Sequence, residues 1–599
     1  MARNTNFLLG YGERLTEPIT LGRNPPDKKL PRTLEAARAW LLPQIQQVAQ
    51  DISALPDIAC PQNEAVALIT LHPEFLAKTY YPTALLASLD FRAVGSRPAQ
   101  VQPSAWAKKR EPEPSPTTEI YVAGKRSSFV RWASELGQQS NPPEELVRLE
   151  LVRVPTPADR IRTISDDRDD VLLEVALHAS EDPSSEFIVA GFARFLEQLG
   201  LRGDFERRLY AGGLCFLPVL APRSQIEEVA RYSFLRVVRQ LPQLRPIDPS
   251  PTLRRFTPGF QVQLPTAAPV DPGLRVAVFD GGLADPQLEP WANAIECDGV
   301  GASEEHFIDH GGAVTSALLF GSLNPLRPAD QPFAYVDHYR VLDDKVRQDP
   351  EELYDVLARI QQVLSTRIYE FISLSIGPDL PIEDDEVHSW TAVLDEHLSD
   401  GRTLATIAVG NNGELDRGCG NARIQVPSDC VNALAVGSSA TTSDDWYRAP
   451  YSAWGPGRSP GIVKPDLVSF GGSAEQPFHV VGSSGASVPT CGTSFATPAA
   501  MRMALGVRAH LGSRLEPLAL KALLIHGSNP GKSSREEVGW GRLPETLEEI
   551  ITCDPGTVRV LYQGELTPAK YLRARIPVPH GELSGFVKIK ATFCFASAV

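Results

Sequence analysis

The sequence lacks any long hydrophobic run. No stretch approaches the roughly 20 apolar residues that a membrane-spanning helix needs, and the N-terminus has only the short apolar run Phe7–Leu9. A secretory signal requires a longer apolar core than this run provides. The sequence therefore predicts a protein with no membrane partner.

Positive charge is scarce relative to negative charge. The chain has 58 lysines and arginines against 73 aspartates and glutamates, which gives a formal net charge of −15 at pH 7. Proteins that bind nucleic acids attract phosphate groups with basic surfaces, and an excess of negative charge repels those groups. We therefore expect no nucleic acid among the partners of this chain.

Paired cysteines are also absent. The eight cysteines are scattered, and none of them forms the C-x-x-C pattern that is typical of zinc sites and redox motifs. Cytosolic proteins keep such thiols reduced. The pattern predicts a cytoplasmic location, and we expect neither a metal nor another cofactor.

The length of 599 residues predicts several domains, because a single hydrophobic core stops growing near roughly 250–300 residues. Five prolines within residues 97–118 indicate a linker or an exposed loop, and eight between Leu241 and Gly273 indicate a connection between domains. We expect four regions: an N-terminal α+β region with a Pro-rich linker at 1–165, a small α/β unit at 166–250, an α/β domain at 271–550, and a C-terminal antiparallel β module at 551–599. The last segment ends in mid-pattern, which leaves open whether the chain is a fragment.

Local patterns place elements inside these regions. Between 166 and 250 they predict a strand at Val171–Leu177, a helix at Glu186–Leu199 and a second helix at Gln225–Gln240. In the C-terminal module, VRVLYQ at 558–563 and GFVKIKATFCF at 585–595 alternate as strands do.

The α/β domain contains four short, continuous apolar runs, RVAVFD, FISLSIG, LATIAVG and ALAVGSS. Such runs, separated by helical segments, are typical of a mostly parallel sheet with helices on both faces. Ligands of these sheets bind at the carboxyl ends of the strands. Asp280, Gly377 and Asn411 stand at those ends and are candidate site residues.

The motif CGTSFATPA, residues 491–499, places Ser494 at the start of a predicted helix. The unpaired N–H groups and the dipole of a helix start favour negative charge, so the Ser494 N–H can donate to an oxyanion formed at the carbonyl that this serine attacks. A serine hydroxyl is a poor nucleophile until a base removes its proton. A histidine held by a carboxylate must therefore come from elsewhere in the chain.

Two segments supply that pair. In VAVFDGG, residues 276–282, a buried strand ends in Asp280 and turns on two glycines. In DHGGAVTSA, residues 309–317, His310 precedes a glycine pair and a small-residue helix start. The pattern predicts that Ser494 is a nucleophile, His310 its base and Asp280 the carboxylate that orients the base.

These three motifs, in the order Asp, His, Ser, resemble those of the subtilases, the subtilisin-like serine endopeptidases. The similarity covers about Leu274 to Leu543 and includes TIAVGNNG and SLSIG. It implies peptide hydrolysis by the triad, oxyanion binding by one amide, and extended protein or peptide substrates beside one strand. The residues concerned are Asp280, His310 and Ser494 for the triad, Asn411 for the oxyanion, and Ser375, Ile376 and Gly377 for the substrate strand.

The N-terminal regions carry a further resemblance. Subtilases commonly have a pro-domain of similar size and position to the unit at 166–250, which implies docking on the catalytic domain; a scaffold unit without contact to the cleft is the alternative. A long N-terminal region on an acidic subtilase also resembles bacterial cytoplasmic subtilases that act with an AAA-type ATPase in anti-phage defence. The resemblance implies such an ATPase as a partner.

Departures from the family motifs keep a second function open. Gly281 stands where the family usually has Ser or Thr, which removes a hydroxyl near Asp280. This change favours the alternative of a catalytically silent subtilase fold that serves as a sensor or binding module. His306 and His310, spaced i and i+4, offer a metal pair, but no third ligand accompanies them.

Overall fold

The computed structural model describes residues 6–20, 29–107, 111–138, 143–165, 167–247, 259–482, 485–567, 570–577 and 585–598. The chain divides into two compact units. Unit 1 comprises Met1–Arg23, Pro242–Ile382 and Trp390–Val599, and unit 2 comprises Asn24–Leu241 and Glu383–Ser389. The four-region division stays a prediction, since unit 2 joins most of the first two expected regions.

The α-helices of the described residues are α1 (Leu34–Ala54), α2 (Thr83–Ser88), α3 (Arg126–Gln138), α4 (Pro157–Arg160), α5 (Glu186–Gln198), α6 (Ile226–Val229), α7 (Glu305–Phe320), α8 (Glu352–Ser365), α9 (Ser389–Leu398), α10 (Thr493–Leu511), α11 (Pro517–Gly527), α12 (Arg535–Val538) and α13 (Leu547–Ile551). Across the described residues, none of these helices combines the length and the apolar character that crossing a membrane requires.

The strands are β1 (Asn6–Phe7), β2 (Thr16–Ile19), β3 (Glu64–Leu71), β4 (Arg92–Val101), β5 (Ser115–Lys125), β6 (Leu149–Arg153), β7 (Asp170–Leu177), β8 (Arg202–Gly203), β9 (Leu209–Ala211), β10 (Leu214–Pro222), β11 (Leu235–Gln240), β12 (Arg275–Asp280), β13 (Ala292–Glu296), β14 (Tyr335–Arg340), β15 (Phe371–Leu374), β16 (Leu404–Ala408), β17 (Leu434–Ser439), β18 (Leu467–Phe470), β19 (Phe478–Val481), β20 (Ser487–Thr490), β21 (Thr552–Cys553) and β22 (Tyr571–Ala574).

Unit 2 contains two antiparallel sheets. The first has the order β4-β5-β3-β6 and shares a hydrophobic core with α1 and α3. The second has the order β11-β7-β10-β8, with β9 paired to β10, and shares its core with α5. Both sheets pack helices against strands that pair antiparallel, which is an α+β arrangement.

One local prediction in unit 2 is wrong, and another holds for only part of its stretch. Residues 225–240 form a single helical turn, α6, followed by the strand β11, because Val237 and Val238 pair with β7 and are buried on both faces of the sheet. The Pro-rich stretch 97–118, expected as a linker or an exposed loop, has loop structure at 102–107 and 111–114, while its two ends belong to β4 and β5. Pro98 is tolerated there because β4 is an edge strand. Residues 108–110 lie outside the described residues.

Unit 1 is built on a seven-stranded sheet of the order β13-β14-β12-β15-β16-β17-β18, in which every pairing is parallel. Strands β15, β16 and β17 are buried along their whole length, as the continuous apolar runs predicted. Helices α7 and α10 contribute to the core that covers this sheet. The structure confirms the predicted α/β class.

The C-terminal residues contribute antiparallel pairs, but less regularly than expected. Strand β21 pairs with β1, and β22 pairs with β2. The segments 558–563 and 585–595 are not strands, apart from an isolated bridge at Val560. Phe586, Phe593 and Phe595 are exposed, so no sheet partner covers the alternating apolar side chains that predicted a strand.

Candidate active site

Asp280 is the last residue of β12, which lies between β14 and β15 inside the parallel sheet. Its side chain is fully buried. The Asp280 Oδ1 atom accepts hydrogen bonds from His310 Nδ1 at 2.7 Å and from the Gly281 N–H at 2.8 Å. Oδ2 has no hydrogen-bond partner among the described residues. One oxygen of the carboxylate therefore carries both bonds.

Gly281 leaves no space for a side chain. A Cβ at this position would lie 2.2 Å from the carbonyl oxygen of Phe307, a backbone atom of α7. A Ser or Thr could not enter without moving the helix. The missing hydroxyl is thus a consequence of how tightly this turn packs on α7, and the Gly281 N–H supplies a donor to Asp280.

His310 lies in the first turns of α7 and is 7% exposed. Because the Asp280 carboxylate accepts from Nδ1, that nitrogen carries a proton and Nε2 is left as the basic nitrogen. A Cβ on the next residue, Gly311, would lie 2.1 Å from the Gly282 carbonyl oxygen. The helix and the Asp280 turn therefore approach each other backbone to backbone.

Ser494 is the second residue of α10, where the first N–H groups of a helix have no intrahelical acceptor. Its carbonyl oxygen accepts a hydrogen bond from Ser375 Oγ at 3.0 Å. The ring of the next residue, Phe495, lies 6.1 Å from the His310 ring, centroid to centroid. Among the described residues, no hydrogen bond joins His310 to Ser494, a contact that is often long without substrate.

Asn411 follows β16 and is anchored to the start of α10. Its Oδ1 atom accepts hydrogen bonds from both the N–H and the Oγ1–H of Thr493, each at 2.9 Å. Two donors at one end of an amide identify that end as the oxygen. The Nδ2 end remains as the donor, on a residue held against the immediate neighbour of Ser494.

The expected substrate strand, Ser375–Gly377, directly follows β15, and its carboxyl end is partly paired with the chain itself. The Arg245 N–H donates to the Gly377 carbonyl at 2.9 Å, and the Asp379 N–H donates to the Gln243 carbonyl at 2.7 Å. This pairing is antiparallel.

The Arg245 side chain continues the same contact. Its Nη1 donates to the Ala408 carbonyl at 3.3 Å, while its buried Nη2 has no hydrogen-bond partner within the described ranges. Burial lowers the pKa of Arg245 to about 10. Its Nε donates to the Gly377 carbonyl at 3.4 Å, so the side chain adds two hydrogen bonds to the backbone pairing.

The sequence reasoning missed a second buried histidine beside the predicted triad. His338 lies on β14 and is fully buried. Its Nε2 accepts from the Gly282 N–H at 3.1 Å, and its Nδ1 lies 2.8 Å from Thr315 Oγ1. Burial lowers the pKa of His338 to about 4, so the ring is neutral near pH 7. The local sequence contains no signal for it, because β14 reads YVDHYR and has no continuous apolar run.

Other groups that could bind a metal or react as nucleophiles do not take part in the predicted site. His306, the other half of the possible metal pair, has its Nδ1 3.6 Å from Glu304, whereas His310 faces Asp280. Among the described residues, carboxylates close enough to share a metal ion are those of Asp349, Glu352 and Asp355, none of them in the predicted site. Burial raises the pKa of Cys491 to about 11, which favours a protonated, unreactive thiol next to the helix start.

Part of the chain is similar to known proteins. Residues 277–541 match the model of the subtilase family, whereas no curated protein matches the chain. Among solved structures, the chain is similar to the epidermin leader peptide processing serine protease EpiP from Staphylococcus aureus, with 16% identity over 64% of this chain and 99% of that one and a TM-score of 0.44. It is also similar to the prenylagaramide maturation protease PagA, with 21% identity over 47% of this chain and 93% of that one and a TM-score of 0.35. A third similar structure is fervidolysin from Fervidobacterium pennivorans, with 13% identity over 65% of this chain and 62% of that one and a TM-score of 0.43.

Proposed function

We propose that this chain, whose residues 277–541 belong to the subtilase family of serine endopeptidases, hydrolyses peptide bonds with Asp280, His310 and Ser494 as its catalytic triad. The observation that carries the proposal is the buried hydrogen bond of 2.7 Å between Asp280 Oδ1 and His310 Nδ1. It gives the imidazole the tautomer in which Nε2 can accept a proton.

The chemistry follows from that tautomer. Ser494 Oγ attacks the scissile carbonyl carbon while His310 Nε2 takes the hydroxyl proton, and the buried Asp280 carboxylate stabilises the imidazolium. The oxyanion of the tetrahedral intermediate accepts from Asn411 Nδ2 and the Ser494 N–H. His310 then returns the proton to the leaving amine, and water repeats the sequence on the acyl-enzyme.

A fluorophosphonate probe separates this function from the silent-fold alternative. The probe forms a covalent bond with a serine only where a base activates it. We expect the native protein to be labelled, and both the Ser494→Ala variant and the heat-denatured protein to stay unlabelled. A folded native protein that resists the probe would favour a sensor or binding module.

Replacing Asn411 tests the oxyanion site. Because the amide faces charge that develops in the transition state, Asn411→Ala should lower kcat by about 10²–10³ with little change in KM. Steady-state kinetics on a cleavable peptide measure the effect. The matched control is Asn412→Ala, since Asn412 Nδ2 donates to loop carbonyls of Asn421 and Arg423. Equal losses in the two variants would reject the oxyanion role.

We also propose that the substrate main chain pairs beside Ser375, Ile376 and Gly377, and that the N-terminal part of the chain restrains this access. The antiparallel pairing of Gln243–Arg245 with Gly377 and Asp379 supports both ideas, because it uses the backbone groups that an extended peptide would need. A substrate would have to displace this segment.

Arg245→Ala removes the side-chain hydrogen bonds to the Gly377 and Ala408 carbonyls and keeps the backbone one. It should therefore raise kcat/KM for a short peptide by up to about tenfold, the equivalent of one lost hydrogen bond from a charged donor. Gln243→Ala is the control, because its carbonyl rather than its side chain makes the contact. Unchanged kcat/KM in the Arg245 variant would leave the segment without a restraining role.

The biological setting that we propose is cytoplasmic anti-phage defence with an AAA-type ATPase partner. The proposal rests on the resemblance of this acidic chain, with its long N-terminal region, to bacterial cytoplasmic subtilases that act with such an ATPase. All eight cysteines are free thiols, which agrees with a reducing compartment. Phage plating on bacteria that carry the native gene with its neighbouring genes, or the Ser494→Ala gene instead, tests the role. Equal plating on the two strains would reject it.

A further inference from the structure

His338 connects the two structural elements that carry Asp280 and His310. In the parallel ladder it stands opposite Val278 of β12, two residues before Asp280. Its ring reaches the Gly282 N–H in the turn after Asp280 and the Thr315 hydroxyl on α7, five residues after His310. One side chain thus contacts both the turn and the helix.

The hydrogen bonds define the state of this ring. A backbone N–H can only donate, so Nε2 of His338 must accept from Gly282, and Nδ1 must carry the proton that it donates to Thr315 Oγ1. A second proton on the ring would place two donors face to face at Gly282. The pairing therefore requires a neutral imidazole, in keeping with its complete burial.

The Asp280 carboxylate depends on this turn for its orientation. Apart from His310, the described donor to the carboxylate is the Gly281 N–H. The next N–H along the turn, that of Gly282, donates to His338 Nε2. The ring therefore holds the turn at the residue that follows Gly281. A Cβ on Gly311 would lie 2.9 Å from His338 Cε1, which shows how closely the ring fits between turn and helix.

We propose that His338 is a positioning residue of the triad: it holds the Asp280 turn and the His310 helix at the separation that keeps the hydrogen bond between Asp280 and His310. His338 supports the Asp280 turn from β14, because position 281 has no space for a side chain that could do so. This role rests on the proposed peptidase function, and its test includes a readout that does not require turnover.

The test compares three variants of the full chain. His338→Leu removes the acceptor and the donor, which leaves the Gly282 N–H buried and unpaired. His338→Gln can place an amide oxygen near the former Nε2 position. Val336→Ala is the control, because Val336 lies on the same strand, is fully buried and belongs to the hydrophobic core. Thermal unfolding sets a temperature at which all three variants are folded.

We expect His338→Leu to lower kcat by up to about 10²-fold with little change in KM, because a small displacement of the base misaligns the reaction. His338→Gln should recover part of that loss, and Val336→Ala should lower the melting temperature while keeping kcat. The same kcat in His338→Leu and Val336→Ala, or a Gln variant as slow as the Leu variant, would overturn the positioning role.

Proton NMR distinguishes failure of this proposal from failure of the proposed function. The proton between Asp280 and His310 should give a downfield resonance in the native protein, and His338→Leu should shift or broaden it whether or not the protein cleaves peptides. An unchanged resonance in His338→Leu would overturn the proposal even in an active enzyme. A changed resonance in a protein that the fluorophosphonate probe does not label would support it while rejecting the peptidase.

Discussion

Replacing Ser494 with alanine should lower kcat by about 10⁶ while leaving KM nearly unchanged. In the proposed mechanism the hydroxyl forms the acyl-enzyme, and among the described residues the hydrogen bonds of the site do not involve its Oγ. The carbonyl contact with Ser375 uses the Ser494 backbone and survives the substitution. Substrate binding should therefore persist without chemistry.

The double variant Ser494→Ala/His310→Ala should be about as slow as Ser494→Ala alone, because nucleophile and base act as one unit. Thr497→Ala is the matched control: it removes a hydroxyl of the same helix, one that donates to the Thr493 carbonyl. Kinetics and thermal unfolding on all of these variants measure the effects. Losses that multiply in the double variant would show that the two residues do not share a step.

The residues at the carboxyl ends of strands were predictable from the sequence. Strand β12 reads as a continuous apolar run because both of its faces are buried, so the first charged residue after the run, Asp280, marks the strand end. The start of α10 was predictable for a similar reason, since small residues before Ser494 mark a tight entry into a helix. Local sequence was sufficient where one segment contains the whole signal.

His338 could not be predicted in this way, because its partners come from distant parts of the chain. The sheet order places β14 beside β12, although β13 and α7 lie between them in sequence. Only that crossover brings the ring to Gly282 and Thr315. The pairing of Arg245 with Gly377 depends on equally distant segments.

The prediction of a helix at 225–240 was wrong for another reason. Residues 235–240 contain the sequence LRVVRQ, which suits either a helix or a strand by its apolar spacing. Hydrogen-bonded pairing with β7 stabilises the strand, and a β-bulge near Leu235 shifts the register of the pairing. Tertiary contacts overrode an ambiguous local pattern.

Among the described residues, both hydrogen bonds to the Asp280 carboxylate go to Oδ1 and none goes to Oδ2. Substitutions of Asp280 by Ala and by Asn should therefore differ in their effect on kcat. Asp280→Ala should lower kcat by about 10⁴, as loss of a triad carboxylate does. In Asp280→Asn, the amide oxygen can occupy the Oδ1 position and accept from both His310 and Gly281, while its NH2 group takes the place of the unpaired Oδ2. His310 then keeps its tautomer and loses only the stabilising negative charge.

We therefore expect Asp280→Asn to retain more activity than Asp280→Ala, with the same KM. If both oxygens were needed as acceptors, the amide would force His310 into the opposite tautomer, and the Asn variant would fall as far as the Ala variant. Measured kcat values on one peptide substrate decide between these cases. Asp337→Asn on β14 is the control for general loss of a buried carboxylate, because Asp337 pairs with Arg275 and Tyr369. A control as slow as Asp280→Asn would assign the loss to folding, whereas an active control with graded loss at position 280 would assign it to the charge beside His310.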